Sequence, residues 1–416
     1  TPLYSSAASD VYKRQGVSGP YCARLLSQMG AEVIKIEYPG RGDVSRSQGP
    51  FTDQFEDRDK SGAFLFANYN KKGITLDVTN PEGRAILLRL LQEADILIEN
   101  QTSDFLKNAS LRYEDLKQKF PSLIVTSISP YGRTGPYKDY QGSDLTSNAF
   151  SGLSFGTGHE SREPLTTPLS QAGVLAGVGA AFATLMAVLS KSMTGVGQLV
   201  DVSESQVIGV LLTGYHLPTY IYRGVAGWRS GNRMRLGLFP NCVLPCKDGY
   251  ICIDAPQMEQ YQRFLDLLDD REWMENPRYR NRRAMSDEYP EEAESLIAPW
   301  FMQRTKEEIL EICIENRIPC VPVKKFDEVM EDEQLIGRDF FEPIKEPDGQ
   351  VFTHPGHPFR MSETPLDVKR PAPTLGQDNE DIFLGRLRLE VDEFRRLQRD
   401  NAVSYTHLTL PTNREV

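Results

Sequence analysis

Between residues 172 and 189 no side chain is charged, and Gly or Ala recurs at Gly173, Ala176, Gly177, Ala180 and Ala183. Positions three and four apart share one face of an α-helix, so the pattern predicts a helix with a smooth face on which another backbone packs closely. The run approaches the roughly 18 apolar residues that span a bilayer. Its small side chains and Thr184 instead predict a buried core helix over residues 171–190. A tight turn at Thr194, Gly195, Val196, Gly197 and Gln198 follows, then a short strand over residues 199–203 and a further helix.

Upstream, Ser18, Gly19 and Pro20 read as a helix entry, with Ser18 as its cap and Gly30 as its end. Residues 32–37, 73–77, 96–98 and 123–125 are apolar runs of strand length. Between them, Asn80, Pro81 and Glu82 open a helix that aligns Leu87, Leu88, Leu91 and Ala94, and a second helix is predicted near 113–120. This alternation predicts an α/β fold with a parallel sheet covered on both faces. The first helix should follow a strand, yet residues 1–15 stand there without an amphipathic period. They and residues 403–416 resemble translated sequencing-adaptor read-through and are set aside as tails.

Residues 223–237 turn Gly- and Arg-rich, as a linker does. Lys247, Asp248 and Gly249 centre a β-hairpin over 243–254, and helices are predicted at 257–269 and 306–315. The expected organisation is a large domain over 16–224, a smaller α+β domain over 225–330, and a return to the large domain over 331–402. That return is Pro-rich and ends in one amphipathic helix over 379–400.

With 416 residues the chain exceeds one ordinary core, and two domains follow. A net charge of −11 argues against nucleic acid and anionic membrane surfaces as partners. An anionic ligand therefore needs a local basic pocket. The six cysteines lack the spacing of a disulfide framework or a zinc site, and no signal-like segment precedes them. A reduced, cytoplasmic protein without a metal is expected.

Gly19-Pro20, the run 30–37, Gly42-Asp43, Asn70-Lys71 before 74–77, Thr194-Gly195 with Gly197-Gln198 before 200–203, Ile318-Pro319-Cys320 with Pro322-Val323, and Pro371-Ala372-Pro373 occur in that order. In this order the chain resembles the family III CoA-transferases over nearly all of residues 16–400, a group that includes formyl-CoA and carnitine CoA-transferases and α-methylacyl-CoA racemases. The resemblance implies a Rossmann-like large domain, an interlocked homodimer, and an acyl-CoA and a carboxylic acid as substrates. Coenzyme A thioester is then substrate, with no separate cofactor. Candidate CoA contacts are Ser18 at the first helix, Arg41, Arg46, Lys71, Lys72, Asn100 and Lys138. Val17, Tyr38 and Asn108 depart from the polar residue and arginines common in the family.

The resemblance also implies an aspartate that attacks the thioester, four residues before the glycine matched by Gly177. Gly173 stands there, and the same position is reached by counting back from Thr194-Gly195. The racemase histidine is likewise replaced, by Ser143. Three readings follow: a transferase that recruits another carboxylate, from Glu160, Glu163 or Asp144; other acyl-CoA chemistry, racemase- or isomerase-like, in which Ser170, Gln171 or backbone amides polarise the thioester carbonyl; or a non-catalytic acyl-CoA-binding subunit paired with an active paralogue. His159 beside Glu160 reads as an exposed loop histidine, and Ser170 as a helix cap.

Overall fold

The computed structural model describes residues 2–6, 17–52, 57–211, 213, 216–234, 237–268, 276–346 and 349–404. The chain divides into two compact units, one made of Thr1–Leu153, Thr166–Pro218 and Asp339–Val416, the other of Ser154–Leu165 and Thr219–Arg338. The second unit thus begins and ends several residues away from the 225–330 read in the sequence. It also takes in residues 154–165, which had been placed in the large domain.

The first unit runs β1 (Pro2–Ser6), α1 (Ser18–Gln28), β2 (Glu32–Glu37), α2 (Gly62–Asn68), β3 (Lys71–Thr75), α3 (Pro81–Leu91), β4 (Ile96–Glu99), α4 (Ser103–Asn108), α5 (Tyr113–Lys117), β5 (Ile124–Ser129) and α6 (Asp144–Phe150). After the one-turn α7 (Leu153–Gly156) come α8 (Gln171–Thr194), β6 (Leu199–Ser203) and α9 (Glu204–Leu211). All six strands are parallel, in the order β3-β2-β1-β4-β5-β6. Such an order is doubly wound, with the switch in direction between the two central strands.

Both ends of the chain carry ordered residues that the sequence pattern does not mark. Residues 2–6 form the strand that precedes the first helix: β1 pairs with β2 and β4, Leu3 lying between Val33 and Ile96. At the other end, Val403 is fully buried and the Ser404 amide donates to Thr75 Oγ1 at 2.9 Å. The rest of the two tails, residues 1, 7–15 and 405–416, lies outside the described residues.

Alternation along the strands builds a core on each face of the sheet. Ile96, Ile98, Ile124 and Ile128 face α1 and α8, whereas Leu97, Leu123 and Val125 face the layer of α3, α4 and α5. The helix over 171–190 extends to Thr194 and is buried on one face only. Ala172, Ala176 and Ala180 are sealed inward, while Val178, Phe182, Met186, Leu189 and Met193 form a stripe 41–75 % exposed. Contact with α1 requires Gly177, since a Cβ there would lie 2.9 Å from the Ser18 carbonyl oxygen and 3.0 Å from Tyr21 Cβ. We expect Gly177→Ala to cost about 1–3 kcal/mol in a urea titration, because backbone must shift to admit the methyl.

The returning segment adds an antiparallel hairpin, Phe341–Lys345 with Val351–Pro355, and two short helical pieces, Asp381–Arg386 and Val391–Arg399. One helix over 379–400 had been expected. The break falls where Arg388 adopts a left-handed φ of 53°, which a continuous α-helix cannot hold.

In the second unit the hairpin is β7 (Asn241–Cys246) with β8 (Gly249–Asp254), extended by β9 (Cys320–Pro322). Helices Met258–Leu268 and Lys306–Glu315 cover it as the sequence indicated, around Phe264, Phe301 and Ile309.

Candidate functional site

Three helices begin close together beside the carboxyl ends of the central strands. Ser170 precedes α8 but makes no capping bond with its side chain. Asp144, the first residue of α6, does so instead: its Oδ1 accepts the Gly173 amide at 3.2 Å and its carboxylate also takes the Ala172 amide. Oδ2 accepts from Asn148 Nδ2 at 3.0 Å. A carboxylate over the first amides of a helix is favoured by both hydrogen bonding and the helix dipole. Burial nonetheless pushes the Asp144 carboxyl above the usual aspartate range, against the pull of the Gly173 and Ala172 amides and Asn148.

The start of α1 closes the third side. A Cβ added at Gly173 would stand 3.4 Å from Val17 Cβ and 3.6 Å from the Ser18 amide, in ordinary contact. Ser18 itself is buried inside α1 rather than acting as its cap, and Val17, at the cap position, makes no side-chain capping bond. Asn100, just past β4, donates to Ser18 Oγ at 3.4 Å. Behind Ser18 lies Glu204, which accepts a hydrogen bond from Ser147 Oγ at 3.1 Å and a second from Ser18. Its carboxyl is pushed up, chiefly by burial and further by the charge of Asp144, with the two serines opposing.

A separate cavity of about 450 Å³ lies on the opposite face of the sheet. Glu99 and Ser127 point into it, Lys107 and Arg112 line it from the α4–α5 side, and Arg133 and Lys138 from the loop after β5. Arg133 is held across its mouth by Glu99 at 3.0 Å, Ser127 at 2.6 Å and the Gln101 carbonyl at 2.7 Å. Strand alternation explains the division: Glu99 faces this cavity and Asn100 faces α1. Neither Asp144, Gly173 nor Glu204 lines the cavity.

The sequence profile of the family described as "CoA-transferase family III" matches residues 13–379. The chain belongs to this family. Across 369 residues it is 30 % identical to the succinate–glutarate CoA-transferase of Agrobacterium fabrum, covering 88 % of this chain and 92 % of that one. Identity is again 30 %, over 403 residues, 92 % of this chain and 95 % of the other, with subunit BbsE of the succinyl-CoA:(R)-benzylsuccinate CoA-transferase of Thauera aromatica. A CaiB/BaiF family protein from Brucella suis superposes with a TM-score of 0.81 at 27 % identity, over 92 % of this chain and 98 % of that one.

Within this family III chain the seven residues read as CoA contacts divide sharply. Ser18 and Asn100 meet at the α1 start, and Lys138 stands exposed at the rim of the cavity. Lys71 is fully buried, and its ammonium donates to the Pro20 carbonyl at 2.7 Å, the Ala67 carbonyl at 2.8 Å and Asn68 Oδ1 at 2.8 Å. Three donors with three acceptors leave no N–H for a phosphate. Arg46 is equally sealed, clamped on Glu37 at 2.7 and 2.8 Å and on Asp59 at 2.6 Å, with its guanidinium over Phe64. Lys72 is paired with Asp381 at 2.9 Å, and Arg41 is exposed over the ring of Tyr38.

Of the three carboxylates offered as replacements, Asp144 belongs to the same unit as Gly173 and accepts its amide. Glu160 and Glu163 are exposed residues of the second unit. Their loop is organised around Arg229, which donates to the carbonyls of Phe155, His159, Glu160 and Arg162. His159 is half-buried rather than free, its Nδ1 2.8 Å from Ser161 Oγ. Sequence reasoning missed Arg133 and Glu204. Arg133 sits in a Gly-rich loop after a strand end, a position at which cations approach ligands in doubly wound sheets. Glu204 opens a helix, where an acidic residue is ordinary, and nothing local marks it as buried.

Proposed function

We propose that the chain is an acyl-CoA:carboxylate CoA-transferase in which Asp144 takes the place of the aspartate that Gly173 has displaced. One observation carries this: a half-buried carboxylate from α6 lies on the backbone amide of the position where the family's attacking group belongs. In this reading Asp144 attacks the thioester carbonyl, a C–O bond forming as the C–S bond breaks and CoA leaves as thiolate. The thiolate then attacks the Asp144 carbonyl of the anhydride, releasing the donor acid and leaving CoA on Asp144. The acceptor carboxylate repeats the sequence in reverse and departs as its CoA ester. The amides at the α8 start and near Ser18 are the donors available to oxyanions.

The exposed Lys138 and Lys107 supply the local positive charge that an acidic protein needs to hold CoA phosphates. The exposed stripe from Val178 to Met193 is covered by a second copy of the chain, giving a homodimer built on a Rossmann-like large unit. We place the enzyme in the cytoplasm, with its six free cysteines reduced and the CoA ester as substrate rather than a resident cofactor. Succinyl-CoA is the first donor to test and a dicarboxylate the first acceptor, following the names of its relatives.

The assay is incubation with succinyl-CoA and glutarate, read by acyl exchange and by intact mass. Exchange together with a CoA-sized adduct removable by borohydride supports the proposal. A second reading has its own observation: glycine at the attacking position, in a chain similar to a protein named as one subunit of a transferase. Tight binding of succinyl-CoA with neither adduct nor exchange would establish that reading, a CoA-ester-binding subunit awaiting an active partner.

A further inference from the structure

Glu204 has no part in the chemistry above, yet it is a carboxyl 5 % exposed, placed directly behind the site. It opens α9, where its own backbone is secured by the β6–α9 junction: the Ser205 amide and hydroxyl both donate to the Pro130 carbonyl, at 3.1 and 2.7 Å. The side chain turns inward, to Ser147 on α6, three residues past Asp144, and to Ser18 in the first turn of α1. Ser18 in turn receives Asn100. Ser147 is fully buried and Ser18 1 % exposed, so no solvent competes for these bonds.

We propose that Glu204 is a positioning residue of the CoA-ester site, its carboxyl tying the first turn of α1 to α6 and thereby setting both the Ser18 amide and the Asp144 carboxylate around Gly173. The inference rests on the reading of this cluster as the CoA-ester site. Both serine hydroxyls donate to this carboxyl, which takes them through its oxygens whether it is neutral or ionised. Ionisation sets a second negative charge against Asp144.

The surroundings favour the neutral form. No cation answers Glu204 among the described residues: Arg24 on α1 is committed to the Phe66 and Pro355 carbonyls, and Lys191 on α8 to Asp95. Asp201 on β6 faces the Arg133 amide, and Asp144 on α6 is the charge that bears on Glu204. Burial and Asp144 both raise its proton affinity.

The test compares the whole chain with Glu204→Gln and Glu204→Leu, using succinyl-CoA. Exchange rate and calorimetric affinity are measured for each across the pH range. Gln keeps a carbonyl oxygen to accept from a serine hydroxyl and cannot ionise. We expect it to hold kcat/KM within about threefold of the parent at neutral pH and to lose the alkaline fall in activity and affinity that the parent shows. Leu keeps neither bond and is expected to lower kcat by the order of 10²-fold while remaining folded by circular dichroism, as misplacement of a reacting group does. A Gln variant with the parent's alkaline limb, or a Leu variant with the parent's rate, overturns the proposal while leaving the transferase reading intact. If the parent binds succinyl-CoA without exchange, the affinity profile alone decides it by the same criterion. A parent that neither exchanges nor binds sinks the site assignment and this inference together.

Discussion

Asp144→Asn is expected to lower CoA exchange by at least about 10³-fold while changing the affinity for succinyl-CoA only a few-fold. Asparagine keeps the cap on α8, because its Oδ1 can still accept the Gly173 amide that Asp144 holds at 3.2 Å, and gives up the bond that Oδ2 takes from Asn148 at 3.0 Å. It cannot attack a thioester, so any fall in rate without loss of binding reports chemistry rather than collapse. The pH dependence follows from the same carboxyl. Burial raises its proton affinity, so exchange should fail on the acid side as Asp144 protonates, at a pH above that expected for a solvated aspartate. Stability moves the other way. A group whose folded pKa is raised binds more protons in the folded state, so its contribution declines as pH rises from the unfolded value through the folded one. Denaturation midpoints of the parent relative to Asp144→Asn should therefore drop across that window. A variant that exchanges CoA as fast as the parent would place the attacking group elsewhere.

The second large effect is a gain. Gly173→Asp restores a carboxylate at the family's position, and the geometry admits it, since the new Cβ meets Val17 and the Ser18 amide at 3.4 and 3.6 Å. We expect exchange to rise by the order of 10²-fold, the contribution of one well-placed catalytic group. Two carboxylates then share the α8 start, and like charges raise the proton affinity of the pair, so the acid limb of the rate profile should shift upward. The double variant Asp144→Asn with Gly173→Asp separates the roles. Activity there would assign attack to residue 173 and leave residue 144 as the cap; an inactive Gly173→Asp, with or without Asp144, would mean the site has been rebuilt for other chemistry.

Much of this architecture is legible in the chain because it is local. The apolar runs at 32–37, 96–98 and 123–125 and the Gly/Ala spacing of residues 173–183 each carry their own period, and each became an element of the type it indicated, the third strand running on to Ser129 and the helix to Thr194 with one face exposed. β1 is different: residues 2–6 have no pattern of their own and become a strand only by lying in register between β2 and β4. The site follows the same division. Gly173 is conspicuous within its own helix, whereas Asp144 is 29 residues away and reaches it only once α6 and α8 are packed. Lys71 reads as a ligand by its place in the family pattern, and Arg46 because it lies in a glycine loop. Their burial on Asn68 and on Glu37 is a property of the assembled sheet, not of the residues beside them.

Because α8 borrows its cap from another helix, its leading amides have two claimants. With Asp144 in place they are silent; once that carboxylate is esterified or turns toward a substrate, the same N–H groups are released to greet an incoming oxygen. Resting rigidity and chemical readiness are thus alternative uses of one pair of bonds, and amide exchange at Ala172 and Gly173 should quicken whenever the pocket is turning over.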